Sequence, residues 1–238
     1  MGAQWKHAGR VEAGNKKGAL FTKLAKEIIV AAKNGDPNPE NNARLRAAVE
    51  AARRQSMTRD TIERSIKRGA GLLEPVHYDT VVYEGFAPNN VPVIVECLTD
   101  NKNRTASDLR VLFRKGQLGA PGSVQWMFDR KGVVEATHPA KMDIYEAAVE
   151  ANAGDVALEE VDEEEGGAPG AVFICDPADL GAMTSALAAL GWVASSSEIR
   201  WIPKTPVDLQ GAAKDDTVAF LQAIDDNDDV HRMYAGLA

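Results

Sequence analysis

The chain has 238 residues, of which 45% are apolar and 26% charged, the composition of an ordinary globular protein. No apolar run approaches the roughly 18 residues of a membrane helix, and the start MGAQWKHAGR lacks both the apolar stretch of a secretory signal and the Ser or Thr of a myristoylation site. The net charge of −8 by itself argues against a nucleic-acid partner, but its distribution reverses that: residues 1–70 hold 15 Lys+Arg against 7 Asp+Glu (+8), residues 71–130 hold 6 against 7 (−1), and residues 131–238 hold 6 against 21 (−15).

In chain order, residues 1–18 place Gly2, Gly9, Gly14 and Gly18 among Lys and Arg without periodicity, and read as a basic arm that is flexible in the free protein. Its Lys6, His7, Arg10, Lys16 and Lys17, with Trp5 available to stack on a base, are candidate nucleic-acid contacts. Three amphipathic helices follow. The first spans 20–33, with Leu20, Phe21, Leu24, Ile28 and Ala31 on one face and with Lys23 a further candidate nucleic-acid contact. The second is predicted to open at Asn38-Pro39 and to run through Leu45, Ala48, Val49 and Ala52. The third begins near Thr58, buries Ile62 and Ile66, and ends at Gly69 behind two cations that suit a helix C-terminus. Together they predict a small helical bundle.

Beyond a linker at 69–77 the pattern turns to short β runs alternating with helices. Strands are predicted at 80–84 and 91–98, a helix at 105–115 and a strand at 123–128. The next stretch spells βαββαβ: strand 132–137, helix 142–151, strands 156–161 and 171–175, helix 178–190 and strand 192–201, the order of a ferredoxin-like domain. A final helix at 212–224 and strand at 229–234 would complete the earlier unit around an insertion. The predicted fold is therefore α+β: an N-terminal three-helix bundle followed by two ferredoxin-like α/β domains, the third inserted in the second. The boundaries fall at 1–77, 78–130 plus 205–238, and 131–204.

The densest candidate surface is cationic: Arg44, Arg46, Arg53 and Arg54 on the second helix, and Arg59, Arg64, Lys67 and Arg68 on the third. Arg46, Arg53 and Arg54 lie off the Leu45/Val49/Ala52 face, and a guanidinium fork meets phosphate oxygens two at a time. The competing reading is a solvated face with Glu50 and Glu63 as intrahelical partners, although the acids are too few to pair every cation. Lys102 and Arg104 stand near the start of a predicted helix, a place for an anion, where the surrounding Thr, Asp and Asn also serve as caps. The segment 116–122 reads as a turn and lacks the Lys-Ser/Thr ending of a P-loop. The acidic runs 159–165 and 225–229 lack the ligand pattern of an EF-hand and read as solvated turns or contacts with a basic partner. Cys97 and Cys175 read as buried free thiols, and His7, His77, His138 and His231 have no metal spacing. No metal, cofactor, small-molecule substrate or membrane partner is expected, and no nucleophile motif points to an enzyme.

Several segments resemble the YebC/PmpR family. They are Leu20-Phe21-Thr22-Lys23, the run from Asn42 to Val49, Met57-Thr58-Arg59-Asp60-Thr61-Ile62, Tyr83-Glu84-Gly85-Phe86, the run from Glu96 to Thr105 that contains DNKNRT, and Gly122-Ser123-Val124. The mitochondrial relative is a translational activator of cytochrome c oxidase subunit I. The resemblance covers essentially the whole chain and implies a three-domain, cytoplasmic, non-enzymatic regulator of gene expression. The family is described both as a DNA-binding transcriptional regulator and as a ribosome-associated translation factor, so DNA, ribosomal RNA and the ribosome are the partners it implies. The start MGAQWKHAGR and the turn Gly116-Gln117-Leu118-Gly119 depart from the common family pattern, which bears on target preference rather than fold. A competing class is a protein-interaction module that recruits a basic partner through the acidic body. The Gly-rich arm favours irregular RNA over an operator duplex, because unpaired bases can stack on Trp5 or Arg.

Overall fold

Three helices open the chain, and strands and helices are interspersed after them. A computed structural model of the chain describes residues 13–74, 76–139, 143–159 and 170–238. Its main elements are α1 (Ala13–Lys33), α2 (Ala43–Arg54), α3 (Arg59–Gly69), β1 (Asp79–Ala87), β2 (Val91–Thr99), α4 (Lys102–Leu112), β3 (Gln117–Leu118) and β4 (Phe128–Thr137). They continue with α5 (Ile144–Glu150), β5 (Asp155–Glu159), β6 (Gly170–Cys175), α6 (Leu180–Ala189), β7 (Val193–Pro203), α7 (Gly211–Asp225) and β8 (Val230–Ala235). The class is α+β. The described residues up to Phe128 form one compact unit with Pro203–Ala238, and Asp129–Ile202 form a second.

Within the first unit, α1, α2 and α3 enclose a core of Ile28, Ala31, Leu45, Val49, Ala52, Met57 and Ile62. The link between α2 and α3 is tightly specified. Ser56 takes a left-handed φ of 62°, and the amides of Ser56 and Met57 close back on the carbonyls of Arg53 and Ala52. The Thr58 side chain then caps α3 by accepting from the Thr61 amide. Gly69 lets α3 lie close on α1, since a Cβ there would stand 2.4 Å from the Ile29 carbonyl oxygen.

Three local expectations are corrected. First, α1 starts at Ala13 and not at Leu20, so the helix runs into the segment read as a flexible arm. Gly14 and Gly18 weaken a helix without stopping it, and no proline intervenes. Second, α2 is capped by Asn42, whose Oδ1 accepts from the Leu45 amide at 3.0 Å, and not by Asn38. Asn38 instead bonds the Glu40 amide in a turn of its own (3.1 Å), ahead of the helix. Third, the strand predicted at 123–128 is a 3₁₀ turn over Gln125–Met127. The buried Glu84 carboxylate draws in the amides of Gly122 (2.6 Å), Val124 (2.9 Å) and Gln125 (3.1 Å), which takes them out of any ladder. Gly122 makes the turn possible with φ at 85°.

The first sheet has strand order β3-β1-β2-β8. The β1–β2 hairpin places Val91, Val93, Val95 and Cys97 on one face, and these pack against Leu109 of α4, Phe113 just after it, and Phe220, Leu221 and Ile224 of α7. The second unit has order β5-β6-β4-β7, the arrangement that the βαββαβ sequence of elements yields in a ferredoxin-like domain. Its core joins Val134, Phe173, Met183 and Leu187 to Trp192, whose ring meets Phe173 edge-on at 5.0 Å. Arg200 is held there between Glu135 and Glu198.

A buried ionic cluster fastens α1 to the first sheet. Asp229, just before β8 and 5% exposed, takes Lys26 Nζ of α1 at 2.8 Å, Arg104 Nη2 of α4 at 2.9 Å and Thr105 Oγ1 at 2.8 Å. Lys26 donates further to the carbonyls of Asp228 (2.8 Å) and Leu98 (3.2 Å), and Lys23 is bonded to Asp225. Beside it, the β2–β8 pairing slips between Glu96 and Cys97, so His231 is the extra residue of a bulge. The bulge sets His231 Nε2 at 3.0 Å from the Glu27 carboxylate, which Arg44 grips from the other side at 2.8 Å.

These contacts fix the direction of the pH dependence. Burial pushes the Asp229 carboxyl up, but hydrogen bonds from Lys26, Arg104 and Thr105 outweigh it and hold the group at about 2. Burial likewise raises Glu27, and the bonds from His231 and Arg44 outweigh it, leaving the carboxyl well below its ordinary value of 4.5. Both folded values are depressed, so the stability they contribute is fully present above about pH 4.5 and is lost as pH falls through the folded values. Acid unfolding followed by circular dichroism is expected to fall steeply between about pH 4.5 and 2, and Asp229→Asn is expected to flatten that limb. An unchanged limb in the variant would contradict the assignment.

Candidate nucleic-acid interface

The structure separates the sequence-predicted cations into those with internal partners and those without. Lys23 is only partly exposed and faces Asp225. Arg44 forks onto Glu27, although half of its side chain remains exposed. Arg46 donates to the carbonyls of Pro39 (3.0 Å) and Glu40 (2.6 Å), which fixes its position and leaves its charge unneutralised. Arg59 pairs with Glu63 at 2.7 Å along α3. Lys102 pairs with Asp79 at 3.2 Å, and Arg104 with Asp229 and Asp100. The α4 N-terminus itself is capped by the Asn101 side chain, which accepts from the Arg104 amide.

Arg53, Arg54, Arg64 and Lys67 remain exposed and form no ion pair with a described residue. Arg53 and Arg54 stand in the last turn of α2, and Arg64, Lys67 and the half-buried Arg68 on α3. The turn through Ser56 joins the two helices that carry these groups. The side chains of Lys16 and Lys17 on α1, and all of Trp5, Lys6, His7 and Arg10, lie outside the described residues.

Trp126 was not singled out in the sequence. It is 68% exposed, and its indole N–H donates to the Ser123 carbonyl at 3.0 Å above the turn that Glu84 organises. Its exposure was hidden because the Gln-Trp-Met-Phe run reads as part of an apolar strand. Among the described residues no helix is long and apolar enough to cross a membrane, and no group of three or more His, Cys, Asp or Glu is placed to hold a metal ion.

Residues 3–72 match the family described as the TACO1/YebC protein N-terminal domain, and residues 78–237 match its second and third domain. The chain belongs to the TACO1/YebC family. A Polaromonas sp. relative is 50% identical over the full length of both chains, and a Bdellovibrio bacteriovorus relative is 45% identical over 99% of each. Both carry the name "Probable transcriptional regulatory protein". A crystal structure of a conserved hypothetical protein from Aquifex aeolicus superimposes with a TM-score of 0.83 at 36% identity, covering 99% of this chain and 96% of that one.

For this TACO1/YebC chain the Glu84 cradle is testable on its own. Glu84→Gln leaves one acceptor for three amides, and a buried charged hydrogen bond contributes roughly 1.5–3 kcal/mol. Hydrogen exchange at Gly122, Val124 and Gln125 is expected to accelerate about tenfold or more in the variant. Unchanged protection would show that the turn does not depend on the carboxylate.

Proposed function

We propose that the chain is a non-enzymatic, nucleic-acid-binding regulator of gene expression that grips phosphates through the α2–α3 surface. The observation that carries this reading is the sorting of charge just described. Asp225, Asp229 and Asp79 neutralise Lys23, Lys26, Lys102 and Arg104, whereas Arg53, Arg54 and Arg64 face solvent without an acidic partner among the described residues. Unpaired cations suit a polyanion, and the charge is concentrated where they stand, +8 over residues 1–70 against −15 over residues 131–238. The names of the relatives favour duplex DNA as target and transcription as the regulated step. The exposed indole of Trp126 favours a second reading, an RNA with unpaired bases, because its π face accepts any base without reading a groove.

The test is fluorescence anisotropy of a short duplex DNA and a single-stranded RNA of equal length over a range of salt concentrations. Arg53→Gln/Arg54→Gln is expected to weaken binding about tenfold or more and, for duplex DNA, to lower the salt slope by about 2, near 0.9 per lost phosphate contact. Trp126→Ala is expected to weaken the RNA alone if stacking operates. Equal affinity of the double variant and the parent for both probes would refute the surface, and would favour a protein partner instead.

A further inference from the structure

A cleft of about 230 Å³ opens between α1, α3 and Tyr78. Its walls are two helical stripes with the same spacing: Thr22, Ala25, Lys26 and Ile29 on α1, and Thr61, Arg64, Ser65 and Arg68 on α3. Residues at i, i+3, i+4 and i+7 share a helix face, so the cleft runs along both helices rather than crossing them. Gly69 sets its depth by letting the helices approach at one end. In a chain of net charge −8, no carboxylate of a described residue lines this space.

The donors divide clearly. Lys26 has all three N–H groups engaged, on Asp229, Asp228 and Leu98, so it offers nothing further. The Thr22 hydroxyl donates to the Gly18 carbonyl and the Ser65 hydroxyl to that of Thr61. Arg64 and Arg68 have no acidic partner among the described residues, and the Arg68 Nε–H is buried with no acceptor. A buried guanidinium N–H without an acceptor costs free energy, and Arg68 carries it on the wall of the cleft. The Tyr78 phenol is half-buried and makes no hydrogen bond to a described residue. Burial raises its pKa, which keeps the O–H as a donor.

We propose that this cleft is a binding site for the phosphate ester of a single nucleotide, with Arg64 and Arg68 on the phosphate and Tyr78 against the sugar or base. Two guanidinium forks present more donors than a carboxylate can accept, and the non-ester oxygens of a phosphate answer them. The volume is below the roughly 300–1,000 Å³ of pockets for drug-sized ligands, which fits one phosphate with its sugar better than an extended cofactor. The inference deepens the nucleic-acid reading and rests on it for the class of ligand. The nucleotide is either one unit of a bound strand or a free mononucleotide, and both bring the same phosphate chemistry.

The test uses the full chain with uridine 5′-monophosphate, uridine and a short oligouridylate as probes in titration calorimetry. The monophosphate is expected to bind saturably and uridine to bind much more weakly. Arg68→Gln, and independently Ala25→Leu, which fills the cleft without altering charge, are each expected to weaken the monophosphate about tenfold or more, with Tm checked alongside. Arg53 and Arg54 do not line the cleft, so loss of strand binding in Arg53→Gln/Arg54→Gln and loss of monophosphate binding in Arg68→Gln can occur separately. Weaker oligouridylate binding in Arg68→Gln assigns the site to a strand, and unchanged oligouridylate binding assigns it to a free mononucleotide. Absence of saturable monophosphate binding, equal binding of uridine, or parental affinity in both cleft variants would overturn the proposal.

Discussion

A single buried carboxylate, Asp229, receives Lys26 from α1, and Arg104 and Thr105 from α4, while its own residue leads into β8. Few arrangements make a buried ion favourable: it must be paired, and its remaining lone pairs must be bonded. Asp229 meets both conditions only when α1, α4 and β8 stand where they do. The cluster therefore specifies the docking of α1 on the first sheet more sharply than apolar contact could. The His231 bulge adds a second anchor through Glu27 and Arg44, which reaches α2. Helical head and sheet are thus joined by charge as well as by packing.

This joining decides what is left for a partner. Had the acidic run at 225–229 been solvated, Lys23, Lys26 and Arg104 would have added to a diffuse basic face. Because Asp225 and Asp229 of that run turn inward, Lys23, Lys26 and Arg104 are engaged inside the fold, while Arg53, Arg54 and Arg64 of α2 and α3 stay exposed without an ion pair among the described residues. The same inward turn gives the α1–α3 cleft its character. Lys26 closes the cleft on the Asp229 side with no donor left over, and the unengaged donors lie on the α3 wall and at Tyr78.

Much of the fold was legible because apolar periodicity is set by burial, and burial is what the structure obeys. The three head helices follow the Leu/Ile/Val spacing, and the second unit follows the βαββαβ order directly. What the sequence hid were long-range polar contacts. Glu84 looked like an ordinary polar position in a β run, yet from there it converts residues 122–125 from a strand into a turn. The DNKNRT segment looked like an anion site at a helix start, and the structure engages its Arg104 and Thr105 with a residue 124 or more positions away. Local pattern shows which side chains are polar, whereas the identity of their partners depends on tertiary placement. The division of Arg and Lys into paired and unpaired sets was for that reason beyond the sequence, as was the exposure of Trp126.

The central claim is that Lys26 and Asp229 act as a coupled pair that docks α1 on the sheet. A double-mutant cycle tests it directly, with Lys26→Met, Asp229→Asn and the combination compared by urea unfolding. The account predicts that each single change destabilises by about 3 kcal/mol and that the pair is strongly non-additive, with a coupling of about 2 kcal/mol or more. Additivity to within roughly 0.5 kcal/mol would show that the two charges are independent, and the docking of α1 would then have to rest on packing alone.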